Sequence, residues 1–337
     1  MRAIYLFLAI VLTALPAVAA PSQGFEEWKR QFVISAAGQG IDSKTLRIFS
    51  QDAEFLPKVI ELDRKQPEHK QTFREYYKSV MTDARINGGR KAMKANWDAL
   101  FAAETKYGVP AQIITALWGM ETSYGGYTGN WGILSTLATL AYEGRRADFF
   151  RGELLTALRI MERGEIAPSK MRGSWAGAMG QNQFMPSSYM AYAVDGDGDG
   201  RRDIWGSLPD VFASTANYLH QSGWQKDLPW GTMATAKHPI AKGFVGWDKD
   251  QGRSMQSWEK VGVHADGFFR VPNDEKVWLI APDGLDGPKY LVTRNYRVIM
   301  KWNKSTYFAS AVGRLSDHLK PIWFSYEEPE NPKNYNE

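Results

Sequence analysis

The chain has 337 residues, a net charge of +4 and no cysteine. Disulfides, thiolate metal sites, iron–sulfur clusters, cysteine nucleophiles and a lipid-attachment cysteine are thereby excluded. With 44% hydrophobic and 23% charged residues the composition is ordinary for a globular protein, and no basic run points to nucleic acid.

Residues 1–20 carry one early positive charge (Arg2), an apolar run from Ile4 to Leu15, a proline and a small-residue end at Ala19 and Ala20. This pattern predicts a cleaved secretory signal peptide. The apolar run is about a dozen residues, short of the roughly 20 needed to span a bilayer. With no later long apolar stretch, the expectation is a soluble, exported protein without an integral membrane segment.

The mature chain is long enough for one large domain or two moderate ones. Gly24 to Gln39 predicts an amphipathic helix around Phe25, Trp28, Phe32 and Ile34, and Asp42 or Ser43 caps a second helix, Lys44 to Ser50. Gln51 to Gln71 lacks periodicity and reads as an extended arm. Helices are expected at Thr72–Met81 and at Arg90–Thr105, the latter with Met93, Trp97, Leu100 and Phe101 on one face.

Val109 to Gly126 reads as one short buried helix, opened near Pro110 and stopped by Gly125 and Gly126. Further helices follow at Gly132–Tyr142, at Ala147–Arg163 (burying Phe149, Phe150, Leu154, Leu155, Leu158 and Ile160), at Ser187–Val194, and from a Ser207 or Asp210 cap to His220. From Gln225 the pattern changes to short strand-like runs, Gly267–Val271, Lys276–Ala281 and Tyr290–Arg294, before a last helix, Ser305–Leu319. The predicted organisation is therefore a helical arm and main helical domain over 21–224, a small mixed subdomain over 225–303, a helix over 304–326 returning to the main body, and a frayed tail over 327–337.

Three stretches carry chemistry. The first is W-G-M-E-T-S-Y-G-G, Trp118 to Gly126, whose one ionisable group is Glu121. Ile114, Trp118 and Glu121 share a helix face, so the carboxyl lies beside a large aromatic. Burial and the C-terminal end of the helix dipole both raise a carboxylate pKa. A carboxylic acid kept protonated near neutral pH is what protonating a leaving-group oxygen requires. The alternative is a glutamate at the rim of a core helix, satisfied by water or an arginine.

The second stretch, Gly173 to Tyr189, is Gly-rich and aperiodic, yet its Trp175, Met179, Phe184 and Met185 argue that it is packed. It reads as a wall for a polyhydroxylated ligand or as a plain structural loop. The thirteen tryptophans of the chain favour neither, since indole rings fill cores and also make platforms for sugars. The third is V-D-G-D-G-D-G-R-R-D, in which Asp195, Asp197, Asp199 and Asp203 have the opening spacing of a calcium loop. The twelfth position, where an EF-hand carries an acid, is Gly206; Asp203 and Asp210 are the candidate substitutes. A cation-free Asp/Gly turn paired with Arg201 and Arg202 is the competing reading. His69, His220, His238, His264 and His318 show no metal-ligand spacing.

The first two motifs together resemble the lytic murein transglycosylase B family, bacterial enzymes that cleave peptidoglycan glycan strands. The resemblance extends to F-R-E-Y-Y (Phe73–Tyr77), L-A-T-L-A-Y-E-G-R-R (Leu137–Arg146), D-I-W-G-S (Asp203–Ser207), A-N-Y-L (Ala216–Leu219) and W-N-K-S-T-Y-F-A (Trp302–Ala309). It implies a mainly α-helical, lysozyme-like (goose-type) catalytic domain with a small α+β C-terminal subdomain, and Glu121 as the only catalytic carboxylate. It places Ser174 close to that acid, gives Gln183 and Asn303 to the sugars and their N-acetyl groups, and puts Tyr76 along the cleft. Trp302 stands where some members carry Tyr, which preserves stacking but not a hydroxyl contact. No cofactor is required for chemistry, and some members bind calcium in the acidic loop. The implied partners are peptidoglycan strands, with cell-wall synthesis or division proteins as further candidates.

A lone carboxylate departs from the usual glycosidase pair, and the N-acetyl group of the substrate can take the second role. Glu121 is then expected to protonate the bridging oxygen between N-acetylmuramic acid and N-acetylglucosamine, and next to deprotonate the muramoyl 6-hydroxyl as it closes on its own anomeric carbon. The rival readings are a muramidase that adds water and a wall-binding protein without catalysis.

Overall fold

The computed structural model describes residues 21–65, 71–143, 145–248 and 250–320. The leader expected over 1–20 and the tail expected over 327–337 lie outside these residues. The chain enters through α1 (Pro21–Gly38) and α2 (Ser43–Asp52), the latter capped by the Asp42 carboxylate, which accepts from the Thr45 N–H at 2.6 Å. The expected extended arm is instead partly helical. α3 (Pro57–Arg64) starts on a proline, buries Val59 and Ile60, and anchors its buried Asp63 between Arg145 and Arg146. These tertiary partners, far along the chain, are what local periodicity could not show.

α4 (Phe73–Val80) opens with a capping box between Thr72 and Glu75. The single helix expected over Arg90–Thr105 is two, α5 (Asp83–Ala95) and α6 (Trp97–Tyr107). Asn96 leaves helical geometry at φ −121° and bonds its side-chain amide back to the Ala92 carbonyl at 2.8 Å. The break turns Phe101 outward, 54% exposed, so it does not share the buried face of Met93 and Leu100.

α7 (Ala111–Thr122) is the expected buried helix, with Ile113, Ile114, Ala116, Leu117 and Trp118 all in the core. Pro110 is its N-cap. It ends before the glycines, because Ser123 and Tyr124 already take left-handed conformations at φ 51° and 62°. That turn folds the Tyr124 ring back between α5 and α7. Gly119 and Gly89 provide the space: a Cβ at Gly119 would meet the ring at 2.5 Å, and one at Gly89 would meet the hydroxyl at 2.3 Å. The hydroxyl donates to the Arg85 carbonyl at 2.8 Å.

β1 (Trp131–Gly132) leads into α8 (Ile133–Glu143), which packs along α9 (Ala147–Glu162) in a second core shared with α1 and α2. Phe149, expected inside, is 48% exposed; Phe150 takes the buried place. The Gly-rich stretch begins with β2 (Arg172–Gly173), antiparallel to β1, and runs into α10 (Pro186–Tyr192). α11 (Leu208–Gln221) is capped by the Ser207 hydroxyl and packs on α6 and α7.

The C-terminal part forms a four-stranded antiparallel sheet from β3 (Gly231–Ala236), β4 (Val263–Ala265), β5 (Trp278–Ile280) and β6 (Lys289–Val292), in the order β4-β3-β6-β5, with α12 (Met255–Lys260) between β3 and β4. Gly267–Val271 is not a strand; it is a loop with Phe268 91% exposed. Strand alternation divides the sheet between two cores. Trp278, Ile280, Tyr290 and Val292 join the core around α7, while Val277, Leu279 and Leu291 pack with Trp258. α13 (Arg294–Trp302) and α14 (Thr306–His318) follow, and α14 lies along α7.

Gly119→Ala is expected to destabilise the protein by about 1–3 kcal/mol, because the added methyl overpacks against the pinned Tyr124 ring. Urea denaturation of the two proteins measures the difference.

Candidate active site

Glu121 sits in the last turn of α7, the only ionisable side chain on a helix that is otherwise almost wholly interior. The residue as a whole is half-buried, but its carboxyl is desolvated. Burial pushes its pKa up to about 7, and one hydrogen bond pulls the other way. That bond comes from Trp302, the last residue of α13, whose indole Nε1 donates to Glu121 Oε1 at 2.8 Å. Trp302 is held in turn by Phe184 and Tyr218, with ring centroids at 5.2 Å and 4.8 Å. The Tyr218 hydroxyl donates to the Lys301 carbonyl at 2.8 Å, which fixes the end of α13.

Tyr76 approaches from α4. Its phenol is pushed up to about 12 by burial and by the charge of Glu121, with Arg85 acting in the opposite sense. The Tyr76 phenol thus feels the charge of Glu121, whose Oε1 is bonded to Trp302. Asn303 follows Trp302, is exposed, and accepts from the Ser305 N–H at 3.1 Å. Ser174 and Gln183 belong to the Gly-rich wall that delivers Phe184 to Trp302. The Ser174 hydroxyl accepts from the Ala178 N–H at 3.1 Å and so closes its own turn. Gln183 stands in the left-handed region at φ 52°, and its amide nitrogen donates to the carbonyls of Thr128 at 3.0 Å and Gly180 at 2.9 Å.

The residue that sequence reasoning missed is Gln181. Its Oε1 accepts from the buried Trp118 indole at 2.8 Å, its Nε2 donates to the Trp205 carbonyl at 3.0 Å, and its backbone N–H donates to the Ile204 carbonyl at 2.8 Å. The Thr122 hydroxyl bonds the Gln181 carbonyl at 3.2 Å. One amide thus joins the acid's helix, the wall and the segment after the acidic loop. Glutamines are common in polar loops, and only the partners distinguish this one.

In the acidic loop, oxygens of Asp195, Asp197 and Asp210 lie within 4.8 Å of one another. Asp210 is fully buried, and burial plus the charges of Asp197 and Asp195 raise its pKa. Of the two carboxylates named as substitutes for the missing twelfth-position acid, Asp210 is the one that joins this group. Asp199 and Asp203, two of the four expected ligands, stand outside this group. Asp199 accepts from the Arg201 N–H at 2.8 Å, and Asp203 from the N–H groups of Trp205 and Gly206 at 2.9 Å. Arg202 pairs with Glu165 rather than with the loop acids. A separate groove of about 1160 Å³ surrounds Pro110, Gln112, Trp230 and Phe268 at the opposite end of α7, and does not include Glu121.

The fold is of the lysozyme-like, mainly α-helical class. The chain belongs to the Transglycosylase SLT domain family, which it matches over residues 24–317. It is 35% identical over 243 residues to the membrane-bound lytic murein transglycosylase B of Escherichia coli K12, a match covering 71% of this chain and 65% of that relative's length. It resembles SltB3 of Pseudomonas aeruginosa, solved in complex with NAG-anhNAM-pentapeptide, with a TM-score of 0.83 and 39% identity over 88% of this chain and 80% of that one. The Escherichia coli lytic transglycosylase Slt35, solved in complex with calcium, matches with a TM-score of 0.74 and 32% identity over 86% of this chain and 92% of that one. Among the described residues, no helix is long and apolar enough to cross a membrane.

The raised pKa of Glu121 has a consequence for stability. Its folded pKa, about 7, lies above its ordinary 4.5, so the fold favours the protonated form. That contribution is fully present below pH 4.5 and is lost as pH rises through 7. Glu121→Gln is therefore expected to remove a stability loss on the order of 3 kcal/mol over that window. Urea melts of both proteins at pH 4.5 and pH 8 test this.

Proposed function

We propose that this chain is a lytic transglycosylase that cuts the MurNAc-β-1,4-GlcNAc bond of peptidoglycan without water and leaves 1,6-anhydromuramoyl ends. The observation that carries the proposal is the buried Glu121 carboxyl with a pKa of about 7, steadied by the Trp302 indole. Such a group is protonated often enough to act as an acid and ionised readily enough to act as a base in the same cycle. The family membership and the complex of SltB3 with an anhydro-sugar fragment support the same reading.

In this mechanism Glu121 gives its proton to the glycosidic oxygen while the N-acetyl oxygen of the muramoyl residue attacks the anomeric carbon. The Glu121 carboxylate then takes the proton of the 6-hydroxyl, whose oxygen displaces the acetamido group. Tyr76, Ser174, Gln183, Asn303 and the face of Trp302 are the side chains we assign to the glycan. Export through the leader over 1–20 places the enzyme in the periplasm, where its substrate lies, and cell-wall synthesis or division proteins are its candidate partners. The sheet of the 225–303 segment supports the helical body from the side.

The acidic loop fits a structural calcium ion. Three carboxylates, one fully buried, offer hard oxygen donors whose mutual repulsion a divalent cation relieves. Asp195, Asp197 and Asp210 would hold it. Its role is to stiffen the segment that Gln181 grips, and the chemistry needs no cofactor.

Glu121→Gln lowers turnover of purified sacculi by about 10²–10⁴-fold, and kcat/KM of the wild type falls as pH rises above about 7, because the free enzyme must hold its proton. Mass spectrometry of the wild-type products shows muropeptides lighter by one water than those of a muramidase; hydrolysed ends would overturn the proposal. Calcium raises the Tm of wild type after chelator treatment and does not raise that of Asp197→Asn, as differential scanning calorimetry reads.

A further inference from the structure

We infer that Trp302 is a positioning residue that decides which oxygen of Glu121 carries the proton, reserving Oε1 as the hydrogen-bond acceptor and leaving Oε2 to exchange the proton with substrate. The inference rests on the proposed acid–base role of Glu121 and deepens it.

The argument starts from donor chemistry. An indole N–H can donate and cannot accept. Its partner at 2.8 Å is Oε1. When Glu121 is protonated, its two oxygens differ: one is carbonyl-like and a good acceptor, and the other bears the hydrogen. A donor fixed on Oε1 favours the arrangement with the hydrogen on Oε2. A tyrosine in this place could rotate its hydroxyl to donate or accept, and would leave both arrangements open.

The indole can impose this choice because it does not swing. Phe184, from the Gly-rich wall, and Tyr218, from α11, hold its ring on two sides. Tyr192 packs edge-on against Tyr218 with centroids 4.5 Å apart. The Lys301 carbonyl, one residue before Trp302, is tied to the Tyr218 hydroxyl. The low-dielectric surroundings of the carboxyl strengthen the bond over its value in water.

The proton balance is simple. The Oε2–H bond breaks as the glycosidic oxygen gains its hydrogen, and the charge left on the carboxylate stays bonded to the indole through Oε1. Oε2 then accepts the hydrogen of the muramoyl 6-hydroxyl, which restores the starting acid. Among the described residues, the titratable or charged groups linked to this centre are Tyr76 from α4, neutral throughout because its phenol is pushed up to about 12, and beyond it Arg85 of α5.

The test replaces Trp302 with Phe and, separately, with benzothienylalanine, which keeps the shape of tryptophan but has sulfur in place of the N–H. The second variant covers a failure of Trp302→Phe to fold. Infrared difference spectra of the resting enzyme, with Glu121→Gln assigning the band, report the carbonyl stretch of the protonated acid. Losing the donor on Oε1 is expected to move that band to higher frequency. It also moves the alkaline limb of kcat/KM upward by about one pH unit, since the lost bond favoured the ionised form. At the optimum, kcat falls on the order of tenfold with little change in KM.

An unshifted band together with an unmoved alkaline limb in the benzothienylalanine protein would overturn the inference. The infrared readout needs no turnover, so it stands apart from the mechanism. If Glu121→Gln kept normal activity, the acid role itself would fail whatever the band did.

Discussion

The structure depends on removing one carboxyl from water at the end of an apolar helix. Ionising such a group costs free energy that, among the described residues, no cation repays, so its pKa rises to about 7. The packing around α7 buries the helix that carries this carboxyl. α5, α6, α11 and α14 cover the helix, the sheet adds Trp278 and Tyr290 to the same core, and Trp302 closes over the acid itself. A cation placed beside Glu121 would have produced an ordinary ion pair, with the acid permanently ionised and unable to give up a proton.

Rigidity at this site comes from polar clamps set into apolar packing. Gln181 satisfies the Trp118 indole and holds the segment of Ile204 and Trp205, so the acid's helix and the acidic loop are joined through one side chain. Leaving a buried indole N–H without a partner costs about 1–3 kcal/mol, which makes the glutamine more than a filler. Asp210 extends the same connection. Its carboxylate accepts from the N–H groups of Gly196 at 2.7 Å and Asp203 at 2.6 Å, which ties both ends of the loop to α11.

Much of the site was legible because it is written in short motifs. The apolar stretch from Ile113 to Trp118 with one acid near its end has a single plausible outcome as a helix, and its burial predicts the shifted acidity. The capping residues Asp42, Thr72 and Ser207 act over three residues and could be read directly. Where the reading failed, distant partners decided. α3 is helical because Val59 and Ile60 find a core and Asp63 finds Arg145 and Arg146, some eighty positions away. Asn96 divides one expected helix into two through its own side chain, and Phe101 faces solvent as a result.

The sequence by itself determined that the protein is mainly helical, that Glu121 is the one ionisable group of the apolar stretch from Ala111 to Thr122, and that Asp195 and Asp197 belong to an acid-rich turn. Those features rest on local forces, namely helical periodicity, capping and the repulsion of crowded charges. Only the tertiary structure decided that Trp302 donates to Glu121, that Gln181 rather than Gln183 clamps the helix, and that Asp210 replaces Asp199 and Asp203 beside the other two acids. Each of those pairings joins groups that local propensity does not relate. Burial selects among many equivalent donors and acceptors, and which of them meet depends on how the whole chain packs.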